Sequence, residues 1–116
     1  IDTSNIEKLI SRKTKAIMVP NLLGNIANWP SLKKIAKKYS LILLEDSADS
    51  IGYKIDNKIK GNLYDIVTSS FYASHIITGA GFGGIVCFND KNLFEIAKIM
   101  RGWGRKSAIT DEKESY

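Results

Sequence analysis

Three residues whose side chains can bind ligands or transfer protons follow apolar segments of this sequence. Asp46 ends the run "LILLED", Ser70 ends "DIVTSS", and His75, the single histidine, precedes the glycine-rich segment "GAGFGG". A carboxylate, a hydroxyl and an imidazole can together bind a small polar ligand and move its protons. Each also has an ordinary structural explanation, because aspartate caps turns, serine bonds the backbone and a lone histidine is more often structural.

The segments around these residues alternate between short apolar runs and amphipathic stretches. The apolar runs predict core strands at about Lys15–Val19, Leu41–Glu45, Ile66–Ser70 and Gly84–Phe88. We expect the first of them, within "KAIMVP", to be buried on both faces of a sheet. The connection between the third and fourth strands is too short for a parallel crossover, which predicts that the fourth is antiparallel.

Helical spacing of apolar residues predicts three helices, within "SNIEKLIS", "PSLKKIAKKYS" and "KNLFEIAKIMRGWG". In the first, Thr3 or Ser4 is the expected cap, and the apolar face is formed by Ile6, Leu9 and Ile10. The third carries an apolar stripe formed by Leu93, Phe94, Ala97 and Met100. The segment "YKIDNKIKG" predicts a small hairpin that turns at Asp56-Asn57. The order of elements predicts a three-layer α/β fold.

Open α/β sheets bind ligands beyond the carboxyl ends of their strands. In the predicted sheet, Asp46 and Ser70 stand at two such ends, and His75 lies in the loop after Ser70. The three side chains therefore predict one site at one edge of the sheet.

Composition narrows the class of protein. The chain has 116 residues, 44% hydrophobic and 25% charged, which fits one domain or part of one, and its start at Ile1 suggests a segment of a longer protein. The net charge of +5 does not indicate a nucleic-acid surface, because the lysines of "SLKKIAKKYS" fall on the solvated face of a helix. Cys87 is single and lies in an apolar run, so we expect it to be buried, with no disulfide framework. Without a signal peptide or a run of bilayer length, the sequence predicts a cytoplasmic protein that does not enter a membrane.

Five segments, in order and spacing, resemble the DegT/DnrJ/EryC1/StrS family of sugar aminotransferases, which are fold-type-I pyridoxal phosphate enzymes. They are "TKAIMVPNLLGN", "LEDSADSIG", "GNLYDIVTSSFYASH", "GFGGIVCFND" and "RGWGR". The resemblance covers about Ile1 to Arg105. It implies that residues 1–116 are part of the cofactor-binding large domain, with a three-layer, mostly parallel sheet.

The resemblance also implies roles for four residues. Asp46 matches the aspartate that pairs with the pyridine nitrogen, so that the ring acts as an electron sink. Ser70 matches a hydroxyl that binds the cofactor phosphate, and Asp49 falls where relatives carry a residue contacting the ring hydroxyl. His75 occupies the position of the lysine that bonds covalently to the cofactor in typical members. An imidazole has no primary amine, so it can only move protons.

Histidine in place of lysine resembles one branch of the family, the 4-keto-6-deoxysugar 3-dehydratases. In that branch non-covalently bound pyridoxamine phosphate serves a nucleotide-sugar substrate, and the histidine takes the C4′ proton while the C3 hydroxyl leaves. The branch has a type with an iron–sulfur cluster, which carries a cysteine two residues after "WGR". Ser107 stands there in this chain, and a hydroxyl is a poor replacement for a thiolate ligand. The cluster-free type, without a metal, is therefore expected.

Two other functions stay open at this point. One is a sugar aminotransferase served by a different lysine, although Lys54, Lys58 and Lys60 of the predicted hairpin are better explained as solvated charges. The other is a non-catalytic relative, against which the retention of Asp46 and Ser70 argues. The resemblance further implies a homodimer with active sites shared between subunits.

Overall fold

The computed structural model describes residues 1–57 and 62–107, which form a sheet with helices against both of its faces. The strands are β1 (Ala16–Pro20), β2 (Ile42–Asp46), β3 (Ile66–Ser70) and β4 (Gly84–Phe88), and the helices are α1 (Ile6–Leu9), α2 (Trp29–Lys38) and α3 (Lys91–Arg101). A single 3₁₀ turn, Leu22–Gly24, follows β1.

The strand order is β1-β2-β3-β4, with β1, β2 and β3 parallel and β4 antiparallel to β3. This confirms the predicted α/β class and the predicted direction of the fourth strand. The bounds of β3 and β4 are those predicted, whereas β1 and β2 begin and end one residue later. Pro20 can end β1 because a residue at a strand end does not need to donate a ladder hydrogen bond.

Helix α2 covers one face of β1 and β2. Its buried residues Leu32, Ile35 and Ala36 pack in one cluster with the sheet residues Ile17 and Leu43. The Asn28 side chain caps the helix by accepting a hydrogen bond from the Ser31 amide at 3.2 Å. The four lysines of α2 are exposed, as predicted for a solvated helix face: Lys33, Lys34, Lys37 and Lys38.

The other face of the sheet is only partly covered. Paired residues point to the same side of a sheet, so Met18, Leu44, Ile66 and Phe88 share the face opposite α2. Phe94 of α3 meets Phe88 edge to face, with 6.1 Å between ring centroids. This places α3 in the third layer, against β4 at the far end of the sheet from β1.

Two predictions about burial were wrong. β1 alternates between buried and exposed residues, and Met18 is 58% exposed. Met18 and α3 share one face of the sheet, but α3 packs on β4 at the opposite end and does not reach β1. Cys87 is exposed on β4, because α2 covers this face of the sheet only over β1 and β2. In α3, Met100 of the predicted apolar stripe is 72% exposed, whereas Phe94 of the same stripe contacts Phe88 of the sheet.

Two smaller elements differ from the sequence-based expectation. α1 is a single turn with Asn5 at its N-cap and no side-chain cap, so neither Thr3 nor Ser4 caps it, and Leu9 is 81% exposed. Asp56 and Asn57 both have positive φ, of 50° and 58°, which a type I′ hairpin turn requires. The returning half of that predicted hairpin, residues 58–61, lies outside the described residues. Within the described ranges, no helix is long and apolar enough to cross a bilayer.

The packing of α2 on the sheet leads to a prediction about stability. Leu43 is 1% exposed, so Leu43→Ala leaves a cavity and should lower the free energy of unfolding by about 2–5 kcal/mol. Leu9→Ala makes the same chemical change at an 81% exposed site and should change it by less than about 0.5 kcal/mol. Urea titration of the intact protein measures both values. Equal effects of the two variants would contradict this description of the core.

Candidate functional site

A cavity of about 390 Å³ opens at the carboxyl ends of the three parallel strands. It brings together all four residues singled out in the sequence: Asp46, Asp49, Ser70 and His75. The remaining lining residues come from the same strand ends and their loops: Pro20, Asn21, Leu22, Ala48, Thr68 and Ser69. The predicted convergence at one edge of the sheet is therefore present in the structure.

Asp46 is the last residue of β2 and is half-buried. One carboxylate oxygen accepts a hydrogen bond from the Ala48 amide at 3.1 Å, the local turn contact that aspartate commonly makes. Its backbone carbonyl accepts from the Asn21 amide at 3.0 Å. Asp46 thus fixes the turn after β2 and still presents its carboxylate to the cavity.

Asp49 joins two loops at the rim of the cavity. Its carboxylate accepts a hydrogen bond from the Leu23 amide at 3.1 Å. Leu23 is 87% exposed and has a φ of 53°, a left-handed conformation that is unfavourable for leucine. The hydrogen bond that Asp49 accepts therefore helps to hold a strained turn, a function that the sequence did not reveal.

Ser70 ends β3 beside a tightly packed loop. Its hydroxyl accepts a hydrogen bond from the Tyr72 amide at 3.2 Å. The glycine-rich segment is explained by close backbone contacts, since a Cβ at Gly84 would lie 3.0 Å from the Ser69 carbonyl oxygen and one at Gly79 would lie 2.7 Å from that of Phe82. Glycine, which has no Cβ, is required at these two positions so that the loop can fold back beside Ser70.

His75 lies on the wall of the cavity in a half-buried position. Its amide donates to the Tyr72 carbonyl at 3.0 Å, and its ring meets the Tyr72 ring edge to face at 6.0 Å. The Nδ1 atom is buried and has no hydrogen-bond partner within the described part of the chain. Buried polar atoms are normally paired, so this nitrogen is available to a bound ligand.

A buried polar network lies directly beneath the cavity. Glu45 is 2% exposed, and its carboxyl accepts from the Asn21 side-chain amide at 2.6 Å and from the hydroxyls of Tyr53 and Tyr64. The Asn21 side-chain oxygen in turn accepts from the Trp29 indole at 3.1 Å. Sequence reasoning missed this network. The available signal was a glutamate at an inward position of a strand, directly before Asp46.

Burial governs the protonation of this network. It raises the pKa of the Glu45 carboxyl above its usual value, against the effect of the hydrogen bonds that the carboxyl accepts. It also raises the pKa of Tyr53 well above its usual range and that of Tyr64 to about 12. Both phenols therefore keep their protons at neutral pH and remain hydrogen-bond donors.

The structure is an open α/β sheet with two carboxylates, a hydroxyl and an imidazole beside a cavity at its strand ends. This is the edge of the sheet at which proteins of this class commonly bind ligands. The sequence profile of the DegT/DnrJ/EryC1/StrS aminotransferase family matches residues 1–116, and the chain belongs to that family. The family consists of pyridoxal-phosphate-dependent enzymes.

Similar proteins include both aminotransferases and dehydratases. The chain is 42% identical to lipopolysaccharide biosynthesis protein RfbH of Salmonella typhimurium, covering 90% of this chain and 24% of that protein. It is 36% identical to GDP-perosamine synthase of Caulobacter vibrioides, covering 90% and 28%. It is 37% identical to GDP-4-keto-6-deoxy-D-mannose 3-dehydratase of Escherichia coli O55:H7, covering 97% and 30%. The chain thus spans between a quarter and a third of the length of these relatives.

Solved structures show the same fold. PseC of Helicobacter pylori, an aminotransferase involved in pseudaminic acid biosynthesis, matches with a TM-score of 0.79 and 39% identity over 87% of this chain and 27% of its own. Bacillus subtilis NtdA, solved with bound pyridoxamine phosphate, matches with a TM-score of 0.77 and 28% identity over 85% and 22%. The chain therefore shares the α/β fold of the matched part of these structures.

The raised pKa of Glu45 predicts how stability depends on pH. A carboxyl whose pKa is raised by folding contributes stability that is full below its unfolded pKa of about 4.3 and is lost as pH rises through the folded value. The free energy of unfolding of the wild type should therefore fall, relative to Glu45→Gln, as pH rises above about 4.3.

Denaturant titrations at several pH values measure this difference. Glu7→Gln is the control, because the hydrogen bond from Lys38 lowers the pKa of this exposed carboxyl. The stability that Glu7 contributes is lost only as pH falls below the pKa of glutamate in the unfolded chain. The difference in unfolding free energy between the wild type and Glu7→Gln should therefore not change with pH above about pH 5. A constant difference between the wild type and Glu45→Gln would show that Glu45 does not titrate with folding.

Proposed function

We propose that the protein containing this chain binds pyridoxamine or pyridoxal phosphate in the cavity without a covalent bond and catalyses 3-dehydration of a 4-keto-6-deoxy nucleotide sugar. The observation that carries the proposal is the composition of the cavity wall. It contains one imidazole and two carboxylates, and no lysine is found among the described residues that line it. A site of this kind can transfer protons but cannot supply the amine for a covalent link.

The residues present fit the cofactor. A volume of about 390 Å³ lies within the usual range of small-molecule sites. The buried, unpaired Nδ1 of His75 indicates that a polar ligand group belongs beside it. We assign Asp46 to the pyridine nitrogen, Ser70 to the phosphate, and Asp49 to the ring edge, where its contact with Leu23 holds the rim.

The chemistry is divided between the cofactor and the protein. When bound, pyridoxamine phosphate would supply a primary amine for the keto group of the sugar and a ring able to accept electrons. The negative charge of Asp46 favours a proton on the ring nitrogen. His75 would take the proton from C4′, a role open to an imidazole because its ring nitrogens can accept and donate a proton. Because His75 has no primary amine, it cannot complete a transamination as a lysine would.

A sugar aminotransferase is the second candidate. It is supported by the similarity to GDP-perosamine synthase and to PseC, which is described as an aminotransferase. It requires a lysine that reaches the cavity from another part of the protein. The histidine on the cavity wall favours the dehydratase, and Ser107 favours the type without an iron–sulfur cluster.

Nucleotide sugars are the proposed substrate class because two of the similar proteins are named for GDP-sugars. The similarity to RfbH supports a place in lipopolysaccharide biosynthesis. The homodimer and the cytoplasmic location remain predictions from the family resemblance and from the sequence.

Non-covalent binding can be tested by reduction with borohydride. The intact protein, loaded with pyridoxal phosphate, reduced and denatured, should keep the mass of the unmodified polypeptide, because the cavity lining among residues 1–57 and 62–107 offers no lysine amine. His75→Lys is the positive control and should retain a mass increase the size of the reduced cofactor. A retained adduct on the wild type would show that another lysine bonds to the cofactor, and the aminotransferase would then be favoured.

The role of His75 can be tested by changing it to asparagine. His75→Asn keeps polarity and approximate size but removes proton transfer near neutral pH, so turnover of a 4-keto-6-deoxy nucleotide sugar should fall by roughly two to four orders of magnitude. The affinity for pyridoxamine phosphate should stay within a few-fold. Ser74→Ala, at the exposed neighbouring position, should leave turnover unchanged. Loss of stability with full turnover in the folded fraction would mean that His75 is structural.

A further inference from the structure

We propose that Asn21 is a positioning residue for the cavity, and that Glu45 is the buried group that holds it in place. This inference deepens the proposed function, because it takes the cavity to be the cofactor site. Asn21 would not react with the cofactor or the substrate. It would set the distance between the wall formed by the end of β1 and the carboxylate of Asp46 at the end of β2.

Asn21 is bonded in four directions while it lines the cavity. Asn21 is 1% exposed, and its backbone N–H donates to the Asp46 backbone carbonyl at 3.0 Å. Its side-chain nitrogen donates to Glu45 at 2.6 Å, and its side-chain oxygen accepts from the Ala27 amide at 3.0 Å and the Trp29 indole at 3.1 Å. These four hydrogen bonds hold Asn21 in a single conformation, which also fixes the backbone on either side of it.

The contacts of Asn21 belong to a closed ring of four side chains. Asn21 bonds Glu45, Glu45 accepts from Tyr64, Tyr64 packs edge to face on Trp29 at 4.7 Å, and Trp29 donates to Asn21. These residues come from the end of β1, from β2, from the segment before β3 and from the start of α2. Because the ring is closed, no member can move without breaking a contact in a region shielded from water.

The chemistry of the ring explains why position 21 is an amide. Asn21 donates to the Glu45 carboxyl through its side-chain nitrogen and accepts from two N–H groups through its side-chain oxygen. An apolar side chain can make none of these bonds, and a hydroxyl would have to make all three from one atom. Its loss would leave the Ala27 and Trp29 donors unpaired inside the protein. Unpaired buried groups are costly, so the loop would move to regain partners. That movement would carry the cavity wall away from Asp46.

Cofactor affinity tests the inference. Asn21→Ala and Glu45→Leu should each weaken binding of pyridoxamine phosphate by on the order of tenfold, and the double variant should be weakened little more than either one, because the two residues act as a unit. Glu45→Gln keeps an acceptor for Asn21 and should bind within a few-fold of the wild type. Titration of the intact, cofactor-free protein, followed by the absorbance of the ligand, gives these affinities.

Ile35→Ala separates positioning from stability. Ile35 is a core residue of α2 outside the ring, so its truncation should lower the melting temperature without changing the affinity of the folded protein. If Asn21→Ala does not fold, Glu45→Leu compared with Glu45→Gln makes the same test with side chains of similar size. Wild-type affinity in folded Asn21→Ala or Glu45→Leu would overturn the inference, as would full additivity in the double variant.

Hydrogen exchange distinguishes failure of this inference from failure of the proposed function. In the absence of cofactor, Asn21→Ala should raise amide exchange at residues 21–25 and 46–49, whereas Ile35→Ala should not raise it selectively there. A wild type that binds no cofactor would contradict the proposed function, and the exchange pattern would still show whether Asn21 holds the cavity wall. Unchanged exchange at both segments would overturn the positioning role.

Discussion

The register of the three parallel strands is the constraint on which the site depends. Pro20 pairs with Asp46, and Asp46 pairs with Thr68, so the strands end at nearly the same level. Parallel strands direct all their carboxyl ends to one edge, and the loops after them must begin there. The cavity exists because three chain segments far apart in sequence leave the sheet side by side.

The side-chain alternation of β2 gives its last two residues opposite environments. Glu45 points to the face covered by α2 and is buried, whereas Asp46 is half-buried at the cavity. A buried carboxyl is tolerated because Asn21 and two tyrosine hydroxyls donate to it, and its raised pKa is the result of the same burial. Two neighbouring acids therefore lie in different environments, one within the buried network and one at the cavity.

The antiparallel return from β3 to β4 places the imidazole. His75 lies in the connection between these strands, and the glycines of that loop permit backbone approaches that a Cβ would prevent at positions 79 and 84. The Phe71 amide donates to the Gly83 carbonyl at 2.8 Å, which closes the loop on itself. A histidine in so compact a loop is held at the cavity wall, beside the end of β3.

The sequence by itself determined the α/β class, the antiparallel fourth strand and the meeting of Asp46, Ser70 and His75, because apolar periodicity and connection lengths are local properties of the chain. Tertiary structure alone decided the exposure of Met18 and Cys87, since burial depends on which helix covers which end of the sheet. It also decided the contact of Asp49 with Leu23 and the ring around Asn21 and Glu45. The Asp49–Leu23 and Asn21–Glu45 hydrogen bonds join residues 26 and 24 positions apart. Side-chain hydrogen bonds over such separations leave no periodic signal in a sequence.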